Sequence, residues 1–235
     1  MYILDGRVRY SEVDSEQHMT VPALLNYFQD CCIFQSEDLG LGVDYLKKEQ
    51  KAWMLNSWQV HLNHMPKLGA QIRVKTWPYD FKGFFGYRNF VLENQTGEIC
   101  AYADTTWIFM DVAAGRPIRV TEEMLKTYAP EPKMDMPDVV RKITMPEPAE
   151  TQASILVTKS HIDTNHHVNN EQYVDMAQQY LPDGKEICKL RAEYKKAAVL
   201  DDVIYPAVNC TDGAVSVSLA DEAGKPYALV QFELR

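Results

Sequence analysis

The sequence predicts an α+β protein built from two copies of one unit, each a helix laid on a sheet of about five strands. Three observations predict it. The order strand, helix, run of strands occurs twice along the chain. Short segments of the two halves also align. Val13-Asp14-Ser15-Glu16-Gln17-His18-Met19 matches Ile162-Asp163-Thr164-Asn165-His166-His167-Val168 at an offset of 149. Leu68-Gly69-Ala70 matches Leu200-Asp201-Asp202 at 132, and Gly97-Glu98 matches Gly224-Lys225 at 127. The offset shrinks steadily, as a second copy with shorter loops requires. The third observation is the stretch between the halves. Residues 129–150 carry five prolines and many charges, so they form neither a central strand nor a long helix. The expected domains are therefore 1–130 and 151–235, joined by a surface linker at 131–150.

Each element follows from local signals. Ile3 to Tyr10 reads as a strand. Thr20 caps the first helix and Pro22 sits in its first turn, where a missing N–H costs least. Leu24, Leu25, Phe28, Cys31, Cys32 and Gln35 recur at helical spacing and, Gln35 apart, are apolar, so one face is buried. Gly40 and Gly42 end the helix. Four strands follow, at Ala52 to His64, Ala70 to Trp77, Phe84 to Glu93 and Ile99 to Asp111, separated by turn signals at Pro66 to Gly69, Lys82-Gly83 and Asn94 to Gly97. The second half gives a strand at Ser154 to Ser160. A helix runs from Asn169 or Asn170 to Tyr180, and Asn169 with Gln172 resembles a capping box. Strands follow at Glu186 to Ala197, Asp202 to Asn209, Ala214 to Leu219 and Pro226 to Leu234.

Composition narrows the function. Hydrophobic residues are 46% and charged residues 24% of 235, which is a globular mix. No apolar run approaches the ~20 residues of a membrane helix, and no signal peptide is visible at the N-terminus. Five cysteines, an odd number with no CxxC pair, point to reduced thiols in a cytoplasm-like compartment. The net charge of 24 − 33 = −9 argues against non-specific nucleic-acid binding.

The densest polar cluster is His161-Ile162-Asp163-Thr164-Asn165-His166-His167-Val168-Asn169-Asn170, between a strand and a helix start. Helix N-termini present unpaired N–H groups suited to a carbonyl oxygen that gains charge. Asp163 is suited to accept a proton or orient a neighbour, Asn165 to donate to an oxyanion or fix a water, and His167 to transfer a proton near neutral pH. Two other readings stand beside this. A turn rich in Asx capping explains Asn169 or Asn170 well but three histidines poorly. His161, Asp163 and His167 are metal-ligand types, yet their spacing fits no zinc template.

The segment DTNHHVNNEQY closely resembles the D-x-N-x-H-V-N-N-x-x-Y signature of the fatty acyl-ACP thioesterases, the enzymes that release fatty acids from acyl carrier protein. The resemblance extends to Asp14 to Asn26, Thr76-Trp77 and Glu193-Tyr194-Lys195-Lys196. It implies two tandem hotdog domains, each a curved antiparallel sheet wrapped around a central helix. It also implies catalytic positions at Asp163, Asn165 and His167 and no metal or organic cofactor. The family places Glu-Cys or Glu-Ala where this chain has Ala197 and Ala198. The carboxylate that activates water there is missing, which leaves Asp163 as base, or Glu193 from the same strand, about 13 Å away. The other reading of Glu193 is a solvated residue paired with Lys195. The first half keeps Asp14 and His18 but not the asparagines, so His18 is expected to serve structure. An acyl pocket there has Trp53, Met54, Leu55, Trp58, Phe84 and Phe85 as candidates.

Lys185, Lys189, Arg191, Lys195 and Lys196, against Glu186 and Glu193, give a local charge of 5 − 2 = +3. Strand alternation places Lys189, Arg191 and Lys195 on one face as a docking candidate for the acidic carrier, with Arg88 and Lys82 as additions. A lysine-guarded edge strand accounts for the same pattern. The expected partner is acyl carrier protein, with no nucleic acid and no membrane span, and the expected state a monomer or homodimer. The alternatives are an acyl-CoA thioesterase of the same fold and a non-catalytic acyl-binding module.

Overall fold

The computed structural model describes residues 1–137 and 142–235. The chain forms two compact units, Met1–Asn56 with Leu62–Pro137, and Ser57–His61 with Asp138–Arg235.

Unit 1 comprises β1 (Tyr2–Arg7), α1 (Val21–Asp38), α2 (Val43–Lys48), β2 (Lys51–Leu62, apart from Ser57–His61, which belong to unit 2), β3 (Gln71–Lys82), β4 (Phe85–Asn94), β5 (Ile99–Asp111), β6 (Arg116–Pro117) and α3 (Glu122–Tyr128). Its main strands lie in the order β1-β3-β4-β5-β2, with β1, β3, β4 and β5 antiparallel. Thr20 caps α1 as expected, its Oγ1 accepting from Ala23 N–H at 3.3 Å. The helix ends at Asp38, and Gly40 takes φ +72, where side chains are strained. Gly42 then opens α2 rather than closing α1. One face of α1 is buried through Leu24, Leu25, Phe28 and Cys31. Phe28 stacks on Phe90 at 5.1 Å, and the Cys31 thiol donates to the Val74 carbonyl.

Strand β4 is buried on both faces, which is why its sequence lacks the alternation of a half-exposed strand. Arg88 and Phe90 face α1, while Asn89 faces a strap formed by residues 131–136. The strap is tied by Glu131 N–H to Pro78 C=O (3.0 Å), Trp77 Nε1 to Pro132 C=O (2.9 Å) and Met134 N–H to Asn89 Oδ1 (2.9 Å). Lys133 pairs with Asp104 at 3.3 Å. The expected surface linker therefore begins as a covering segment of unit 1. Residues 138–141 of that linker lie outside the described residues.

Unit 2 comprises β7 (Glu150–Thr151), β8 (Ile155–Leu156), α4 (Asn170–Gln178), β9 (Ile187–Tyr194), β10 (Val203–Cys210), β11 (Ala214–Ala220) and β12 (Pro226–Leu234). Its order is β9-β12-β11-β10-β7, with Ser57–His61 of β2 antiparallel on β9. The expected strand at Ser154 to Ser160 reduces to β8, because Lys159–His161 turns into a 3-10 helix. Tyr10–Glu12 does the same in unit 1. β9 stops at Tyr194, three residues short of Ala197.

The sequence matches coincide with matched hydrogen bonds. Met19 N–H donates to Pro66 C=O at 2.8 Å, as Val168 N–H does to Ala198 C=O at 2.9 Å. Gly69 (φ 80) and Asp201 (φ 70) occupy one left-handed position, as do Gly97 (φ 83) and Gly224 (φ 75). Only the turns keep their chemistry, while α1 is twice the length of α4, 18 residues against 9.

Candidate active site

The polar cluster folds into one tight loop. Ile162 and Val168 bridge, Asp163 N–H donates to His167 C=O at 2.8 Å, and His166 N–H to Asp163 C=O at 3.1 Å. Closing so short a loop puts His166 at φ 62, a conformation few side chains adopt. Asp163 is the brace: its Oδ1 accepts from Asn165 N–H at 2.7 Å and His167 N–H at 3.3 Å. Its Oδ2 lies 3.5 Å from Asn165 Nδ2. The Asx turn is thus real, and it is what presents the other two groups. Asn165 is exposed, Asp163 and His167 are half-buried, and the His167 ring makes no hydrogen bond among the described residues.

The loop stands on a fixed base. Thr158 N–H donates to His161 Nδ1 at 3.1 Å, and Asn169 N–H to His161 C=O at 2.8 Å. Ala198 is fully buried, and its N–H donates to the Tyr173 hydroxyl at 2.8 Å. Tyr194 OH donates to Asn170 C=O at 2.8 Å. Burial pushes Tyr173 up to about 12 and Tyr194 well above the ordinary tyrosine range, so both remain neutral supports. Among the described residues no group of three or more His, Cys, Asp or Glu is arranged to hold a metal ion.

The helix start differs from expectation. Asn169 occupies the cap position without a side-chain cap bond, and its Oδ1 is buried with no hydrogen-bond partner among the described residues. The capping box is absent because Gln172 Nε2 donates to Glu171 Oε1 at 2.6 Å. Glu171 is a buried carboxylate in the first turn of α4, where the helix dipole favours an anion. Sequence reasoning passed over it, although an acid directly after a cap is a recognisable signal.

Glu193 is buried, not solvated, at 5% exposure. One oxygen accepts from Ile143 N–H at 2.6 Å and the other pairs with Lys195. The Lys195 pairing matches one of the two readings. Ala197 lies beyond the end of β9 and is exposed, so strand alternation does not relate it to Glu193.

The basic stretch is largely matched by acids. Lys189 and Arg191 share the face of Glu193, but Lys195 follows the strand end. Lys189 pairs with Glu233 at 2.9 Å, Arg191 Nη1 donates to Gln231 at 3.3 Å, and Lys196 pairs with Asp221. Lys82 is exposed and pairs with Asp80 at 2.8 Å. Arg88 is no surface residue: it is 8% exposed and faces α1. Its charge suggested the surface; its register places it inside.

In unit 1, His18 serves structure through its backbone: its N–H donates to Asp14 Oδ1 at 2.9 Å and it bridges Lys67. Of the aromatic-strand candidates, Met54 and Phe84 are exposed, Leu55 and Trp58 are buried, and Trp53 packs on Phe109 at 4.8 Å.

Comparison with known proteins fits this geometry. The model of the acyl-ACP thioesterase N-terminal domain matches residues 4–128, and that of the C-terminal domain matches 145–225. A chloroplastic acyl-[acyl-carrier-protein] hydrolase of Cuphea viscosissima is 23% identical over 215 residues, 84% of this chain and 51% of the relative. The chain thus spans about half the length of such curated relatives. Two solved structures share the fold. An acyl-ACP thioesterase from Bacteroides thetaiotaomicron gives a TM-score of 0.89 at 20% identity, covering 99% of this chain and 97% of that one. The 12:0-ACP thioesterase from Umbellularia californica gives 0.88 at 18%, covering 100% and 96%. Both halves carry the corresponding domain in order, so the chain belongs to the acyl-ACP thioesterase family, with the hotdog fold of that family.

Proposed function

We propose that the protein hydrolyses the thioester of fatty acyl-acyl carrier protein and releases free fatty acid. The observation that carries this is the braced loop. Asp163 commits Oδ1 to its own backbone, which leaves the Asn165 amide and the His167 imidazole presented at the start of a helix. Water attacks the carbonyl carbon and His167 takes its proton. Asn165 and the first N–H groups of α4 hold the oxyanion. The intermediate collapses, the C–S bond breaks, and His167 returns the proton to the thiolate. A thioester is already activated, so this chemistry needs no cofactor. With both Glu193 oxygens engaged elsewhere, His167 is the base we assign.

A second reading takes acyl-CoA as substrate. It is favoured by the ion pairs that match Lys189 and Lys195, two of the three cations of the proposed docking face at Lys189, Arg191 and Lys195. A third, a binding module without turnover, is favoured by Ala197 and Ala198. We place the protein in a reducing, cytoplasm-like compartment on its five free cysteines. No helix of the described residues is long and apolar enough to cross a membrane.

The test is thiol release from a panel of acyl-ACPs with matching acyl-CoAs. Turnover on acyl-ACP, with KM raised severalfold by Lys189→Glu and Arg191→Glu and unchanged on acyl-CoA, is the expected result. Equal effects on both substrates favour the second reading. Binding without turnover favours the third.

A further inference from the structure

The turn that enters the Asp163 loop holds an ionisable group to which the proposed hydrolysis gives no part. His161 ends the 3-10 helix Lys159–His161, two residues before Asp163. Its ring reaches back over that turn. Nδ1 accepts from Thr158 N–H at 3.1 Å and lies 3.5 Å from Thr158 Oγ1. Its backbone closes the other side of the loop. The His161 N–H donates to Thr158 C=O at 3.1 Å, and its C=O accepts from Asn169 N–H at 2.8 Å. One residue thus fixes the entry to the loop through its side chain and the exit into α4 through its carbonyl. Asp163, Asn165 and His167 all lie between these two ties.

The first half of the chain shows what the ring stands in for. The residues 149 positions before Thr158, His161 and Asn169 are Arg9, Glu12 and Thr20. Glu12 Oε2 accepts from Arg9 N–H at 2.7 Å, and Glu12 C=O accepts from Thr20 N–H at 2.9 Å. The ties are the same and the acceptor differs. Burial raises the Glu12 carboxyl, but hydrogen bonds from Arg9 and Tyr27 outweigh it and hold it below 4.5, so it accepts throughout the neutral range. An imidazole accepts at Nδ1 only while that nitrogen carries no proton, its one N–H being at Nε2. A second proton turns Nδ1 into a donor facing a donor, and imidazoles take that proton near neutral pH. The ionisable groups on the elements that meet this turn are Lys159, Asp163, His166 and His167 beside it in sequence, Glu171 in the first turn of α4, and Asp201 and Asp202 before β10. None of them bonds the ring among the described residues. The tie to Thr158 is therefore what protonation of this ring breaks.

We propose that His161 is a positioning residue for the hydrolysis: its neutral ring ties the entry of the loop and so sets where Asn165 and His167 stand. The tie is present at higher pH and lost as the pH falls through the imidazole range. Turnover then needs two unprotonated imidazoles, His167 to take the proton of water and His161 to hold the loop. This deepens the proposed function, on which it rests for the reaction.

The test is the pH profile of thiol release from acyl-ACP by the full chain and its His161 variants. At about pH 8, His161→Ala is expected to lower kcat about tenfold or more with KM within about twofold, because a displaced loop misplaces the reacting groups. His161→Gln and His161→Glu each offer an oxygen to Thr158 N–H and are expected to recover kcat to within about threefold of wild type. On the acid limb, log kcat/KM of the wild type is expected to fall with a slope approaching about two per pH unit, and that of His161→Gln with a slope of about one. Equal slopes overturn the proposal, as does a loss in His161→Ala that neither Gln nor Glu recovers, or one carried by KM. Should His161→Ala not fold, the slopes of wild type and His161→Gln decide alone. A second readout needs no thioester: hydrogen exchange of residues 158–169, as protection relative to free peptide. Wild-type protection is expected to fall about threefold or more between about pH 8 and about pH 5, and that of His161→Gln to hold. No such difference overturns the tie. Turnover without either dependence on His161 refutes its role and spares the hydrolysis. A tie seen in exchange, with no turnover on any thioester, refutes the hydrolysis and upholds the tie.

Discussion

The two loops that precede α1 and α4 share a backbone and differ in what they offer. Asp14 Oδ1 accepts from Glu16 N–H and His18 N–H at 2.9 Å each, as Asp163 Oδ1 does from Asn165 and His167. Gln17 and His166 hold the same left-handed turn at φ 64 and 62. Yet the first loop places Glu16 where the second places Asn165. A carboxylate repels a developing oxyanion that an amide holds. The base of each loop differs too. Glu12 is buried and held by the Arg9 side chain, Arg9 N–H at 2.7 Å and Tyr27 OH at 3.1 Å, whereas the His161 ring meets Thr158, accepting from its N–H at 3.1 Å and lying 3.5 Å from its Oγ1. The first loop is also sealed to the next turn, with Leu68 N–H donating to Gln17 C=O at 2.9 Å. The lesson is that the backbone frame is not the activity. On the proposed function, a few side chains make one frame a structural joint and the other the site.

The sharpest way to break this comparison is paired substitution. Asn165→Ala and His167→Ala are expected to cut thiol release by about 10²–10³-fold. Glu16→Ala and His18→Ala should leave it within about twofold. A comparable loss from the first-loop pair would mean that both loops work.

Next in size is the prop under the first loop. Burial pushes the Glu12 carboxyl up, and the Arg9 and Tyr27 hydrogen bonds outweigh it and bring it below its ordinary value of 4.5. A depressed carboxyl adds stability above its unfolded value and loses it as pH falls through the folded one. Glu12→Gln should therefore cost about 2 kcal/mol at pH 7 in urea titration, and less as the pH drops below 4.5. An equal cost at both pH values would remove the charge from the explanation.

The caps give a smaller contrast. Thr20→Ala should lose about 1 kcal/mol with its bond to Ala23 N–H. Asn169→Ala loses no such bond and removes a buried unpaired acceptor, so its thermal midpoint should not fall. Smallest of all, Gln17→Gly and His166→Gly relieve the same backbone strain and should each change stability by less than about 1 kcal/mol.

What was legible in the sequence was whatever is written locally. The repeated turns could be read because Asp, Asn and Gly mark them at fixed spacing, and the loop residues Asp163, Asn165 and His167 do stand together. Burial by distant segments could not be read. Strand alternation gave Glu193 a face but not Ile143 lying over it. It gave Arg88 a charge but not the helix it meets, although Gln35, the one polar residue in the apolar stripe of α1, was the trace of that meeting. α2 is too short, at six residues, for periodicity to reveal it. α3 is announced locally by Thr121 before Glu122 and Glu123.

The strap over β4 has a consequence for how substitutions are tolerated along the chain. It offers main-chain atoms at Glu131, Pro132 and Met134, and β3 and β4 answer with side chains at Trp77 and Asn89 and a carbonyl at Pro78. The information is therefore one-sided. Side chains at 131, 132 and 134 are free to drift as far as these bonds are concerned, since any residue with an N–H at 131 and 134 keeps them. Trp77 and Asn89, inside strands, supply the side-chain half of these bonds to a segment more than forty residues away.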